Sequence, residues 1–253
     1  MLSQLPVVRL DMPGCMAVTT MRGEGPDAYG GFNVCHYVGD AEAHVSAGRN
    51  LLARYFGVEV DKLLIPRQTH SSVVRIVDSR MTAADLDGVD GLVTGDDSVV
   101  LCVNTADCVP LVMCDESARV IAAVHSGWRG TVAEISADAV RAMCSIEAVM
   151  GPCICAGCFE VGPEVTERFK EVFPDVPGIV VRHAGQRDHI NLGLAVRTTL
   201  ERAGVCDDNV SLPVACSHCA GSPYFSARTL GVHSGRTVTA VMLSSASKSA
   251  PLG

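Results

Sequence analysis

Three short runs in the middle of the chain are apolar almost without interruption. They are Val99-Val100-Leu101-Cys102-Val103, Val109-Pro110-Leu111-Val112-Met113-Cys114 and Val120-Ile121-Ala122-Ala123-Val124. Successive side chains of a strand point to opposite faces, so a half-exposed strand alternates apolar with polar residues. An unbroken apolar run is what a strand covered on both faces needs. The chain must therefore build sheets with material packed on each side. Its 253 residues, 48% hydrophobic, are enough to do so. Aromatic residues are only 4%, so that core is largely Val, Leu, Ala and Met.

The flanking segments supply the cover. Further strands are expected at 6–10, 15–20, 72–77 and 237–243. Helices are expected at 41–56, at 131–143 with Ile135, Ala139 and Met143 on one face, at 164–173, and at 191–203 closed by Gly204. Strands and helices alternate irregularly and several strands read as hairpins, which argues against a parallel doubly wound sheet. The expected class is α/β (α+β), with layered mixed β-sheets flanked by helices. No linker supports a domain cut, so residues 1–243 are expected to form a single domain and 244–253 a disordered tail.

Charge and composition narrow the function. The formal net charge is −8, from 20 basic and 28 acidic residues, and no run of Lys or Arg occurs. That pattern lacks a nucleic-acid footprint. No apolar run approaches the roughly 20 residues of a membrane span, and the first ten residues lack the apolar centre of a signal peptide. A cytoplasmic protein, monomer or homodimer, is expected. In a reducing compartment its 12 cysteines are packed thiols, nucleophiles or metal ligands rather than disulfides.

Three segments look built for chemistry: Arg67-Gln68-Thr69-His70-Ser71, Thr105-Ala106-Asp107-Cys108-Val109-Pro110 and Val124-His125-Ser126-Gly127-Trp128-Arg129-Gly130. Cys108 lies between two buried strands, and His125 ends one of them. Two imidazoles and a thiolate make a three-ligand zinc site with one position open. The wide separations of His70, Cys108 and His125 mean that only the fold can bring them together. Gly127 and Gly130 allow close backbone approach to a ligand, and a helix starting at Thr131 would aim its N-terminus there. Arg129 and Arg228 have no carboxylate partner nearby in sequence, and either could hold a phosphate. Cys153-Ile154-Cys155-Ala156-Gly157-Cys158, with Cys216-Ser217-His218-Cys219, has metal-ligand spacing, although a loop of packed thiols would look the same.

Taken together, these segments resemble the YfiH family of laccase-domain, or multicopper polyphenol oxidoreductase-like, proteins. The resemblance runs from about Asn33 to Leu243. It is carried by Gln68 and His70, Asp90-Gly91-Leu92-Val93-Thr94, Thr105 to Pro110, and His125 to Gly130. Further along, it is carried by Gly151-Pro152, Cys158, Glu160-Val161-Gly162, Cys216, Cys219, Phe225-Ser226, Arg228 and Gly235-Arg236. It implies a layered α/β fold and one zinc held by His70, Cys108 and His125, with copper as an alternative metal. It also implies action on purine nucleosides: phosphorolysis of adenosine, inosine and S-methyl-5′-thioadenosine, and deamination of adenosine. The chain departs from the family pattern at Ser71 and Cys155, where glycine is usual. It departs again at Ala227-Arg228-Thr229, where Tyr-Arg-Arg is usual.

In the zinc enzyme so implied, Cys108, His125, His70 and Asp107 form the catalytic group, with Asp107 orienting a ligand or relaying a proton. Arg228, Arg129, Gln68 and Ser226 contact substrate or phosphate. The same residues allow a metal-free hydrolase or amidase acting on a C–N bond, as in peptidoglycan precursor editing, with Cys108 as nucleophile and His125 or His70 as base. A copper polyphenol oxidase is a third reading. It is disfavoured because the remaining histidines, among them His36, His44, His183, His189, His218 and His233, share no pattern. A binding module without catalysis would leave a polar cluster buried between strands to no purpose.

Overall fold

The computed structural model describes residues 5–25, 27–182, 185 and 187–244. Along the chain, β1 (Val7–Leu10) and β2 (Cys15–Thr20) precede α1 (Glu42–Phe56). There follow β3 (Leu63–Leu64), β4 (Val74–Ile76), β5 (Gly91–Thr94), β6 (Val100–Thr105), β7 (Val109–Asp115) and β8 (Val120–Ser126). Next come α2 (Trp128–Val132), α3 (Ile135–Val140), β9 (Glu147–Met150) and α4 (Pro163–Val172). The chain then runs through β10 (Val180–Val181), β11 (His189–Ile190), α5 (Leu192–Arg202), β12 (Val210–Ser211), α6 (Ala227–Leu230) and β13 (Thr237–Leu243).

Two mixed sheets result, of order β1-β2-β13-β6-β3 and β12-β9-β7-β8-β5-β4. Most pairs are antiparallel; β3/β6, β4/β5 and β9/β12 are parallel. Alternate residues explain the unbroken apolar runs. From β6 and β13, Leu101, Val103, Val241 and Leu243 meet Val112, Cys114, Ile121 and Ala123 of β7 and β8, forming a core between the sheets. The opposite face of the first sheet, through Val100, Cys102, Val238 and Ala240, packs on Leu52, Ala53 and Phe56 of α1. The opposite face of the second, through Leu111, Met113, Ala122 and Val124, packs on α3, α4 and α5. The order of layers is helix, sheet, sheet, helices, which leaves no strand face of β6, β7 or β8 to water.

The helix expected over 131–143 is two pieces. It starts earlier, at Trp128, and breaks before Ile135, where Glu134 is left-handed at φ 56°. Ile135, Ala139 and Met143 are nevertheless all buried, so the apolar stripe survives the break. Of the tail expected at 244–253, Ser244 donates its N–H to Gly14 O at 3.0 Å, and 245–253 lie outside the described residues. No helix among those described is long and apolar enough to cross a membrane.

Asp115 ends β7 and is fully buried. One of its oxygens accepts Ser117 Oγ and Ala118 N–H at 2.7 and 2.9 Å, and the other accepts Cys144 and Ser145 N–H at 2.7 and 2.9 Å. Burial alone would raise its pKa, but these four donors hold the carboxyl well below the usual range. Asp115→Asn puts an amide N–H₂ against backbone N–H groups, so a loss of about 2 kcal/mol is expected in denaturant unfolding. The folded-state pKa is depressed. The wild-type advantage should therefore be complete above about pH 5 and fade as pH falls through the folded value. A difference between variant and wild type that does not change with pH would contradict this.

Candidate metal centre

One end of the second sheet collects the chemistry. β7 begins there and β8 ends there, since the two are antiparallel with Pro110 opposite His125. β5 is antiparallel to β8, and β4 is parallel to β5, so both also begin at that end. Cys108 precedes β7, His125 lies near the end of β8, Asp90 precedes β5 and His70 precedes β4. Cys108 also sits where the chain leaves the first sheet at Thr105 and enters the second at Val109. That crossing is sharp, and Asp107 takes a left-handed φ of 84° to make it.

The structure brings His70, Cys108 and His125 together, their ligand atoms all within 4.8 Å of one another. Cys108 Sγ lies 3.8 Å from His70 Nε2, and the two imidazole rings are 4.8 Å apart at 79°. Zinc bonds of about 2.0–2.3 Å to nitrogen and sulfur set tetrahedral ligands roughly 3.3–3.8 Å apart, so this spacing fits a single ion. His125 is buried, Cys108 is partly exposed and His70 is exposed, so the centre opens to solvent on one side. Gly127 leaves the necessary room: a Cβ there would stand 2.9 Å from His70 Cδ2 and 3.0 Å from Cys108 Sγ.

Asp90 holds the arrangement, and sequence reasoning did not single it out beyond its place in a motif. It is 0% exposed. Its carboxylate bonds His125 Nδ1 at 2.7 Å and accepts the backbone N–H groups of Thr69, His70 and Ser71 at 3.1, 3.1 and 2.9 Å. Its own carbonyl accepts His125 N–H at 2.7 Å. These bonds maintain His70 at φ 60°, a conformation that a residue with a Cβ seldom adopts. With Nδ1 engaged, His125 is left with Nε2 for a ligand, the carboxylate–histidine pairing typical of metal sites. Ser71, a departure from the family pattern, joins the knot: its Oγ lies 2.8 Å from both Gly88 O and Asp90 Oδ2.

Burial works to raise the Cys108 pKa, yet the charge of His125 and hydrogen bonds from His125 and His70 bring it down to about 6. Burial likewise works to lower the His125 pKa, but the Cys108 charge and the Asp90 bond raise it to about 9. The two shifts run together, each charge of the Cys108–His125 pair stabilising the other.

The other expected site residues each have partners of their own. Asp107 is 8% exposed, its carboxylate accepting Ser217 Oγ at 2.7 Å and Arg228 N–H at 2.9 Å. The Arg228 guanidinium donates to Glu160 O at 2.7 Å and lies over the Phe159 ring. Arg129 is exposed and lies 4.6 Å over Trp128. Neither arginine forms an ion pair among the described residues. Gln68 bonds both the N–H and the C=O of Asn104, at 2.7 and 2.8 Å, and Ser226 caps α6.

Comparison with known proteins agrees with this architecture. The family described as "Multi-copper polyphenol oxidoreductase laccase" matches residues 15–244. "Adenosine deaminase RL5", from an unknown prokaryotic organism, is 45% identical over 245 residues, covering 90% of this chain and 94% of that protein. A "Purine nucleoside phosphorylase" of Bacteroides thetaiotaomicron is 36% identical over 243 residues, covering 89% and 90%. Among solved structures, YlmD from Geobacillus stearothermophilus superposes with a TM-score of 0.85 at 25% identity, covering 97% of this chain and 98% of that one. The hypothetical protein YfiH of Bacillus licheniformis gives a TM-score of 0.83 at 24% identity, covering 91% and 93%. By sequence over nearly its whole length, and by fold, the chain belongs to the multi-copper polyphenol oxidoreductase laccase family and is an enzyme of the YfiH type.

Proposed function

We propose that this chain is a zinc-dependent purine nucleoside enzyme. It cleaves adenosine, inosine and S-methyl-5′-thioadenosine with phosphate, and it deaminates adenosine. The observation that carries this reading is the convergence of His70, Cys108 and His125 at a solvent-facing end of the sheet. Support comes from relatives named adenosine deaminase and purine nucleoside phosphorylase. Two imidazoles and a thiolate suit zinc, and three protein ligands leave a position for reactants. Bound there, zinc supplies Lewis-acid stabilisation of the charge that develops on the reacting oxygen.

Both reactions replace a nitrogen on carbon. In phosphorolysis a phosphate oxygen bonds to the ribose C1′ as the bond to the purine nitrogen breaks, and the purine leaves with a proton. In deamination the oxygen of water bonds to C6 and ammonia leaves. Asp90 orients His125 for either. Asp107 works from behind the centre: by holding Ser217 Oγ and Arg228 N–H it fixes the left-handed turn that presents Cys108. In this reading Arg129 and Arg228 attract the phosphate, and Gln68 and Ser226, expected to contact substrate, do so from the segments they brace. As metal ligands, His70 and His125 are not free bases.

The contact between Cys108 Sγ and His70 Nε2 also favours one other reading, a Cys–His hydrolase or amidase acting on a C–N bond. A multicopper oxidase is not favoured. Among the described residues, groups of three or more metal donors are this triad and a set of four cysteines, which leaves no further imidazoles for a three-copper cluster. The deciding experiment is elemental analysis of protein purified without added metal, beside turnover of adenosine with phosphate. Zinc, with adenine and ribose 1-phosphate released and inosine formed, is expected. Activity that survives metal removal but is lost on alkylation of Cys108 would replace the zinc enzyme with the hydrolase.

A further inference from the structure

A second group of metal donors lies outside the triad. β9 is antiparallel to β7, and β12 is parallel to β9, so the segments after both emerge at the same end of the sheet. Their pairing continues past the strands: Cys153 N–H donates to Ala215 O at 3.1 Å, and Ser217 N–H donates to Cys153 O at 2.9 Å. This alignment sets two turns of Cys-x-x-Cys spacing side by side, Cys155 with Cys158 and Cys216 with Cys219. All four sulfur atoms lie within 4.8 Å of one another. Cys158 Sγ and Cys219 Sγ are 3.7 Å apart, close to the ~3.8 Å edge of a tetrahedron with zinc–sulfur bonds of about 2.3 Å. Cys155 N–H points at Cys216 Sγ from 3.3 Å, as a backbone donor does toward a thiolate. Cys153, the other thiol of that stretch, is 2% exposed and belongs to the helix-side core instead.

We propose that Cys155, Cys158, Cys216 and Cys219 form a closed tetrathiolate site for one structural zinc ion. Four soft donors around a single point suit zinc, and they leave no open position for a reactant. The spacing is too tight for an iron–sulfur cluster, whose cysteines must spread around several irons. Each thiol gives up its proton as it binds, so uptake of zinc releases protons to solvent. The ion staples the loop after β9 to the loop after β12. That second loop carries Ser217, which holds Asp107 behind Cys108. Ile154 N–H, in the first loop, donates to the Asp107 carbonyl at 2.9 Å. Both arms of the staple therefore bear on the turn that presents the catalytic thiol.

Zinc content of the purified full chain tests this. The wild type should hold two zinc ions per chain, Cys219→Ser one, and Cys108→Ala one, since the two sites share no ligand. Denatured wild type, stripped of metal without reductant, should show all 12 cysteines as free thiols. Should Cys219→Ser fail to fold, zinc-edge X-ray absorption of Cys108→Ala still decides the matter, with four sulfur neighbours at about 2.3 Å expected. Unchanged zinc content in Cys219→Ser, iron in place of zinc, nitrogen or oxygen neighbours in Cys108→Ala, or a disulfide among these four cysteines would each overturn the proposal. Loss of the triad zinc alone would leave it standing, so its failure is distinguishable from failure of the nucleoside reading.

Discussion

Cys108→Ala is expected to empty the triad of metal and to cut turnover of adenosine by about 10³-fold or more, with the fold retained. A metal acting as Lewis acid contributes several kcal/mol to the transition state, and each 1.4 kcal/mol is about a tenfold rate. His70 is exposed, and its position rests on backbone bonds to Asp90 rather than on packing of its ring. Two imidazoles without the thiolate therefore make a weak site. The fold should survive because Cys108 occupies the three-residue crossing between β6 and β7, whose own packing lies in Val103 and Leu111 on either side. With the thiolate gone, Asp90 still anchors the His125 ring through Nδ1. Zinc analysis, turnover and a thermal melt on one preparation check all three parts. Zinc lost with turnover intact would end the metal mechanism; a melt lowered as far as the activity would mean that the thiol is structural.

The layers were legible because unbroken apolar runs admit few alternatives to strands covered on both faces. How the strands divide between sheets was not legible. β6 and β7 are equally apolar and three residues apart, yet they belong to different sheets, and only the left-handed turn at Asp107 separates them. The break at Glu134 was invisible for a related reason: Ile135, Ala139 and Met143 face the core with or without it, so periodicity does not register it. At the centre, the residue types of the triad suggested the chemistry, while its assembly depends on contacts 38 residues apart in sequence, as between His70 and Cys108. Asp90 stood in a turn-rich stretch where an aspartate before glycine is ordinary. Nothing local distinguishes such a residue from one that gathers the donors of a whole site. The cysteine spacing was visible too, but Cys153-x-Cys155-x-x-Cys158 offers three thiols, and the choice among them rests on which sulfur faces the second loop.

Asp90→Asn should produce the second large effect, in stability and metal affinity together. The wild-type carboxylate meets donors only: His125 Nδ1 and His70 N–H at Oδ1, with Thr69 N–H, Ser71 N–H and Ser71 Oγ at Oδ2. An asparagine amide has one acceptor and one N–H₂ group. Whichever way it is turned, the N–H₂ group faces at least one backbone N–H that now bonds only this carboxylate. Each buried donor left unsatisfied costs about 1–3 kcal/mol, so a loss of about 3 kcal/mol in chemical denaturation is expected. The turn holding His70 in its left-handed conformation then loosens, because three of its successive backbone N–H groups rest on this one carboxylate. If Oδ1 keeps His125, the Thr69–Ser71 turn is lost; if it keeps the turn, His125 loses the bond that fixes its Nδ1 and aims its Nε2. Either way the triad should bind zinc about 10- to 100-fold more weakly, the usual consequence of losing a carboxylate behind a ligating histidine. Zinc affinity measured by competition with a chelator, alongside a urea melt, reads both effects. Weakened zinc binding with stability unchanged would mean that Asp90 acts on His125 alone. Wild-type zinc affinity in a destabilised protein would remove Asp90 from the metal centre altogether.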